Sequence, residues 1–287
     1  SMRLVLCLAF AVSACAQPTG APVEQAEPSL RRADSAITRA TPPPVAADTV
    51  AVVDHVIPLG EGTVTVRVRL DGQQPGLLHA LNLHDDESTS VEAAAEVIAR
   101  RGGRVVEVVH SGDRNVTFRV GGRSYEADPN RMFTEAGRAR TLGALSSNDP
   151  AAEAALEAFA DSVLALYTAV RPDVVVTLHN NTPDNYSARS YEPGAQYASD
   201  AAAVTVHPGS DPDDFFFVTD RALYDALVGE GFNAVLQDND AATDDGSLSV
   251  WAAREGVPYV NVEAQHGHRA EQAAMIDALV DVLENRR

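Results

Sequence analysis

Lysine is absent from this chain: all 22 basic residues are arginine. Chemistry that runs through a lysine Schiff base is therefore excluded. Positive charge is scarce altogether, with 22 basic residues against 41 acidic ones and a formal net charge of -19. Nucleic-acid binders present a basic face, so no nucleic-acid partner is expected. The acidic excess keeps the chain soluble by self-repulsion. Cysteine is nearly absent too, the two present being Cys7 and Cys15. Aromatic residues make up 6% of the chain, but 45% is hydrophobic, enough for a sizeable core.

The N-terminal stretch is organised differently from the rest. Arg3 precedes an apolar run from Leu4 to Val12, followed by the small residues Ser13 and Ala14. That is the layout of a signal peptide, and the run is too short to cross a bilayer as a stable helix. Val12-Ser13-Ala14-Cys15 resembles a bacterial lipobox. Residues 1–15 are thus expected to be a signal peptide with Cys15 as the lipidation site, the alternative being an ordinary cleaved signal. With Cys15 lipidated, the mature chain has no other thiol, which excludes disulfides and a cysteine nucleophile. Residues 16–48 are rich in Ala, Pro, Thr and Glu, include Pro42-Pro43-Pro44 and lack aromatics. Such a segment cannot bury enough apolar surface to order itself and reads as a tether. The expected location is the cell envelope, periplasmic or extracytoplasmic, with the membrane contacted through the lipid anchor only.

From residue 49 to 287 the pattern is that of one folded catalytic domain. Val50–Ile57 and Thr63–Leu70 are β-rich runs around a Gly60-Glu61 turn, a hairpin. Further strands are expected at Leu77–Leu83, Val105–Val109, Val116–Val120, Val174–Leu178, Ala203–Val206, Phe215–Val218, Ala234–Leu236 and Tyr259–Val262. Helices are expected at Ser90–Arg101, Pro150–Val170, Arg221–Val228, Ser247–Glu255 and Arg269–Glu284. Alternating strands and helices predict an α/β fold: a doubly wound, mixed, mostly parallel sheet with helices on both faces. Ligands of such sheets bind beyond the carboxyl ends of strands. His84, His179 and Glu263 each fall at the end of an expected strand.

These positions suggest a chemistry. His84-Asp85-Asp86-Glu87 places an imidazole and a carboxylate three residues apart, able to close on one metal ion, and His179 supplies a third ligand. A solvated acidic turn is the alternative reading of His84 and Glu87, and His179 after Val174-Val175-Val176 also reads as a core residue. Asn180 or Asn181 could orient that imidazole from behind. Glu263, after Tyr259-Val260-Asn261-Val262, is a candidate general base, or an acid starting the last helix. His266 and His268 read as rim residues. In Arg123-Ser124-Tyr125-Glu126-Ala127-Asp128-Pro129-Asn130-Arg131, guanidinium groups offer forks for carboxylates. Asn130 and Arg131 are candidates to hold a substrate carboxylate and Arg123 to stabilise an oxyanion. A salt bridge between Asp128 and either arginine is the structural alternative.

The ordered set resembles the zinc carboxypeptidase superfamily, and within it the succinylglutamate desuccinylase/aspartoacylase branch. The residues that carry the resemblance are Leu83-His84-Asp85-Asp86-Glu87, Arg123 with Asp128-Pro129-Asn130-Arg131-Met132-Phe133, Leu178-His179-Asn180-Asn181-Thr182 and Asn261-Val262-Glu263-Ala264. It implies a zinc-carboxypeptidase-like fold with one Zn2+ per chain held by His84, Glu87 and His179. It makes Glu263 the general base and acid, has Arg123 polarise the scissile carbonyl, and has Asn130 and Arg131 take the substrate's terminal carboxylate. The implied activity is hydrolysis of an amide bond in an N-acyl amino acid or small peptide with a free carboxylate.

Asp85-Asp86 replaces the branch's Gly-Asn, Pro129 replaces its leucine, and one helix follows Glu263 where the branch carries a further β domain. Tyr186 and Tyr191 are the candidates for the carboxypeptidases' mobile tyrosine. An envelope location fits a murein-peptide carboxypeptidase or amidase, and a non-catalytic binding lipoprotein on the same fold is the other alternative. The sugar N-deacetylases, with His-Pro-Asp-Asp-Glu, are echoed at His84–Glu87 but without the proline.

Overall fold

The computed structural model describes residues 50–71 and 76–286. The signal peptide, Cys15 and the tether expected over 16–48 lie outside the described residues. The described residues belong to one compact unit.

Two strands, β1 (Val50–Leu59) and β2 (Gly62–Asp71), form the expected hairpin. Its turn needs the left-handed backbone at Gly60, where φ is 59° and a side chain would strike the carbonyl of Arg119. Next come β3 (Leu78–Asn82), α1 (Ser88–Arg101) and β4 (Gly103–Val109). A small antiparallel pair follows, β5 (Val116–Val120) and β6 (Arg123–Ala127). After it lie α2 (Glu135–Leu145), α3 (Pro150–Thr168) and β7 (Val175–Asn181). The chain closes with β8 (Ala201–Thr205), β9 (Phe215–Val218), α4 (Arg221–Gly229), β10 (Ala234–Gln237), α5 (Leu248–Arg254), β11 (Tyr259–Gln265) and α6 (Arg269–Asn285).

Nine strands make one sheet in the order β1-β2-β4-β3-β7-β11-β9-β10-β8. Its centre, β4-β3-β7-β11, is parallel throughout, and antiparallel pairings enter on both sides. One face packs on α1, α4 and α6 through Val97, Ile98, Leu227, Ile276 and Leu279. The other packs on α2, α3, α5 and the β5-β6 pair through Leu142, Leu156, Phe159, Leu248 and Phe118. Helices on both faces keep the central strands buried, so β7 is buried along its whole length. This is the α/β architecture expected from the alternation of elements.

Two elements depart from the sequence expectation. The stretch Arg123–Ala127 is a strand, and Glu135–Leu145 is a helix. The helix contains Gly137 and Gly143, which weaken its propensity; its legible signal is Thr134, whose hydroxyl accepts from Gly137 N at 3.1 Å. In addition, β7 and β11 run two residues past His179 and Glu263, because their parallel pairing continues through Ala264↔Asn180 and Gln265↔Asn181.

Candidate metal centre and active site

At the carboxyl ends of β3, β7 and β11 the sheet brings His84, Glu87 and His179 together, all buried. Glu87 is the N-cap residue of α1, yet its carboxylate makes no capping bond. It turns inward instead: Oε1 lies 2.9 Å from His84 Nδ1 and Oε2 lies 2.9 Å from His179 Nδ1. The two Nδ1 atoms face each other at 3.1 Å. Tetrahedral zinc with Zn–N bonds of 2.0–2.1 Å sets ligand nitrogens about 3.3 Å apart, so the spacing suits a zinc-type ion.

Asp128 fixes the tautomer that a ligand needs. Its Oδ1 lies 2.8 Å from His84 Nε2, so Nε2 carries the proton and Nδ1 keeps its lone pair. In the metal-free site burial works against charging His84, but the Glu87 charge and the hydrogen bonds to Asp128 and Glu87 outweigh it and raise the pKa to about 9, so a bound cation would displace the Nδ1 proton and leave the one on Nε2. For His179 burial dominates and the pKa falls. Burial opposes ionisation of Glu87 and Asp128, yet the histidine charges and hydrogen bonds around them hold both well below the usual carboxylate range. Two imidazoles and a carboxylate, enclosed and charge-poised, fit a divalent cation of borderline softness.

Glu263 sits directly across the β7–β11 ladder from His179. It is buried, and its Oε2 accepts from Asn261 Nδ2 at 2.9 Å. Behind it runs a polar chain: Thr177 Oγ1 lies 2.6 Å from Tyr259 OH and donates to Asn261 Oδ1 at 3.3 Å. Burial, then the nearby Glu87 charge, push the Glu263 pKa up to about 8, against the hydrogen bond from Asn261. A carboxyl group tuned near neutrality is suited to taking up and returning a proton.

Asn130 and Arg131 lie beside the triad in a single 3-10 turn. Asn130 Nδ2 is 3.4 Å from His179 Nε2, and its Oδ1 accepts from Leu248 N at 3.3 Å. Arg131 donates from Nη1 to the carbonyl of Asn130 at 2.8 Å. Arg123 is elsewhere. It begins β6, exposed, with Nη2 3.4 Å from Ser147 Oγ and its guanidinium over the Tyr125 ring. The extended run from Arg123 to Ala127 spans roughly 13 Å, which carries Arg123 away from the Asp128 end of the strand.

The arginine that reaches the triad is Arg114, which no sequence motif singles out. Its Nη1 donates to Glu87 Oε1 at 2.8 Å, and its Nη2 lies 3.6 Å from Asp128 Oδ2. Nothing in its local pattern marks it. The preceding loop is pinned by Asp85, whose Oδ2 accepts from His110 N at 2.7 Å and Gly112 N at 2.8 Å. Thus the Asp85 charge faces backbone donors of that loop, not the triad.

Neither Asn180 nor Asn181 touches the His179 imidazole. Asn180 bonds Ser90 N, Ala264 O and Gln272, tying β7 to α1 and α6, and Asn181 donates to Asp213 O. Tyr186 and Tyr191 are joined by a 2.6 Å hydroxyl contact, and burial pushes both phenols up. His268 is at the rim, 2.9 Å from Asp214 Oδ2; with Asp211 these residues form a second, more exposed group of metal-type donors.

No family model and no curated protein matches this chain. Solved structures do. An aspartoacylase family protein from Mesorhizobium loti is 17% identical over 83% of this chain and 69% of its own, with a TM-score of 0.41. The murein-tripeptide amidase MpaA from Escherichia coli O157 is 14% identical over 81% of this chain and 91% of its own, also at 0.41. A metallo-carboxypeptidase from Burkholderia cenocepacia is 14% identical over 84% of this chain and 66% of its own, at 0.38. With TM-scores this low, the functional reading rests on the side chains of the site.

Proposed function

We propose that this chain is a zinc-dependent hydrolase that cleaves an amide bond in an N-acyl amino acid or small peptide bearing a free carboxylate. The observation that carries the reading is the buried Glu263 carboxyl, set across one strand pairing from His179 of the His84–Glu87–His179 group. Zinc held there supplies a Lewis acid that polarises a carbonyl and lowers the pKa of a water towards ~7. The chain's own residues do the rest. Asn261 holds Glu263 Oε2, which leaves Oε1 to take the water's proton and pass it to the leaving nitrogen. With a divalent cation held by the triad the Glu263 pKa would fall from about 8, and its carboxylate would be available as a base near neutral pH. Arg114 supplies the guanidinium for the oxyanion, the part that the family resemblance assigns to Arg123. Arg131 and Asn130 receive the substrate carboxylate.

The lipobox-like Val12-Ser13-Ala14-Cys15 supports a location in the cell envelope, and that location favours murein peptides as the alternative substrates. Among the described residues no helix is long and apolar enough to cross a membrane.

The test is metal content by mass spectrometry on protein purified without chelator, followed by hydrolysis of N-acyl amino acids. About one zinc per chain is expected, lost in His179→Ala. Glu263→Gln should keep the zinc and lose turnover. Hydrolysis by Glu263→Gln at the wild-type rate would sink the mechanism.

A further inference from the structure

Arg131 and Arg114 both stand at the triad, but their charges go to different places. Arg131 faces a carboxylate outside the triad, with Nε 3.5 Å from Asp245 Oδ2. The loop that bears Asp245 is clamped to the segment that bears Arg131 by Gly246 and Gly137, which meet backbone to backbone with no room for a Cβ at either. Arg114 instead reaches into the triad itself. Its Nη1 donates to Glu87 Oε1 at 2.8 Å, and its Nη2 lies 3.6 Å from Asp128 Oδ2. Glu87 Oε1 is also the oxygen that lies 2.9 Å from His84 Nδ1. A metal ion held by the triad would therefore share a ligand oxygen with a guanidinium.

The charge of a partner decides what it does to a ligand. An anionic partner raises the donor strength of the ligand it holds, as the Asp128 carboxylate does for His84. A cationic partner on a ligating oxygen draws density from it and repels the incoming ion, and burial leaves that repulsion poorly screened.

A purely positioning role for Arg114 is the competing account, and Glu87 has little need of one. Its backbone is fixed at the start of α1, where its carbonyl accepts from Ser90 N at 3.3 Å and from Ser90 Oγ at 2.8 Å. Its side chain is enclosed, and each carboxylate oxygen faces an imidazole. Arg114 is 46% exposed and extends from a loop, so it brings charge and little rigidity. That charge has a use without metal, because it spans two carboxylates of one cluster, Glu87 and Asp128.

We propose that Arg114 is an internal counter-ion of the metal centre. It balances Glu87 and Asp128 in the metal-free protein and competes with the metal for Glu87, so that the chain gives up zinc affinity for a metal-free site that stays folded. This rests on the metal reading of the triad, but not on hydrolysis.

Competition with a chromophoric chelator measures the zinc affinity, and urea unfolding of the chelator-treated protein measures the other half. Arg114→Met should bind zinc about tenfold more tightly than wild type, or ~1.4 kcal/mol, while its metal-free form unfolds at lower urea. Arg114→Gln keeps a donor for Glu87 without the charge and should move both quantities the same way. Arg123→Met removes an exposed guanidinium elsewhere and should leave zinc affinity unchanged. A positioning role, or a variant that fails to fold, gives the opposite sign: weaker zinc binding in step with lower stability. Zinc affinity that falls or stays within about twofold of wild type in both Arg114 variants overturns the counter-ion. So does metal-free stability untouched by either variant, or a wild-type protein that binds no zinc. Hydrolysis of N-acyl amino acids separates this from the hydrolase reading. Tighter zinc in the variants with no hydrolysis by wild type sinks the hydrolase and leaves the counter-ion standing. Hydrolysis by wild type with unchanged zinc affinity in the variants does the reverse.

Discussion

Replacing Asp128 with asparagine removes one charge while keeping an oxygen acceptor where His84 Nε2 and Asn130 N now meet Oδ1, both at 2.8 Å. The tautomer of His84 is preserved, so the variant isolates the electrostatic support that a carboxylate lends a ligating imidazole. Loss of such a partner weakens metal affinity by about 10- to 100-fold. At a free metal concentration ~1,000 times the wild-type dissociation constant, bound metal stabilises the fold by ~4.1 kcal/mol, falling to ~2.7 or ~1.4 kcal/mol in the variant. For a domain of this size the difference is a drop of roughly 3–10 °C in Tm. Affinity is measured by competition with a chromophoric chelator, and Tm by calorimetry with and without zinc. A dissociation constant within about twofold of wild type, together with an unchanged zinc-dependent Tm shift, would refute the claim that Asp128 orients His84 and supports it electrostatically as a ligand.

Arg114→Met should lower kcat by about 100-fold or more with a smaller change in KM, whereas Arg123→Ala should leave both within about twofold; steady-state kinetics on one N-acyl amino acid decides between the two arginines. In chelator-treated protein the raised pKa of Glu263, about 8 against a usual 4.5, stabilises the fold below pH 4.5 and is lost as pH rises through 8. Raised His84 acts in the same sense between 6.5 and about 9, while the lowered pKa of His179 favours the fold as pH rises towards 6.5 and acts little above it, so urea unfolding at pH 6.5 and pH 8 should show the metal-free protein weaker at pH 8. Glu263→Gln should reduce that difference, each pKa unit being worth ~1.36 kcal/mol; an unchanged slope refutes the assignment. Tyr167 OH donates to His79 O at 2.7 Å and accepts from Val176 N at 2.9 Å inside the core. Tyr167→Phe leaves a buried N–H without that partner and should cost about 1–3 kcal/mol in denaturant unfolding, with zinc affinity unchanged.

What is legible from the sequence follows from how local each signal is. Strand-end positions in a parallel sheet are read from short apolar runs, so the residue pattern alone puts His84, His179 and Glu263 on one edge. The helices α1, α3 and α6 announce themselves by length and composition. Arg114 is out of reach of such patterns because its arrival at Glu87 depends on Asp85 pinning residues 110–112, a contact between segments 25 to 27 residues apart. Arg123 is misplaced by any reading that takes the stretch before Asp128 as a compact motif and not as extended chain; a strand moves its first residue far from its last. The Asn180 amide looks like a partner for His179, but successive residues of β7 face opposite sides, so it points to α1 and α6.

The meeting of Gly137 and Gly246 carries a consequence for how variants of this protein will be read. Two glycines in van der Waals contact act as a hinge pin without a side chain, joining the segment that bears Arg131 to the loop that bears Asp245. Arg131 Nε and Asp245 Oδ2 stand 3.5 Å apart across this contact, and an alanine at either glycine forces the two segments apart and changes that spacing while leaving every candidate site side chain intact. Such a change would register in a mutational screen as a loss of activity arising from a position with no functional group at all.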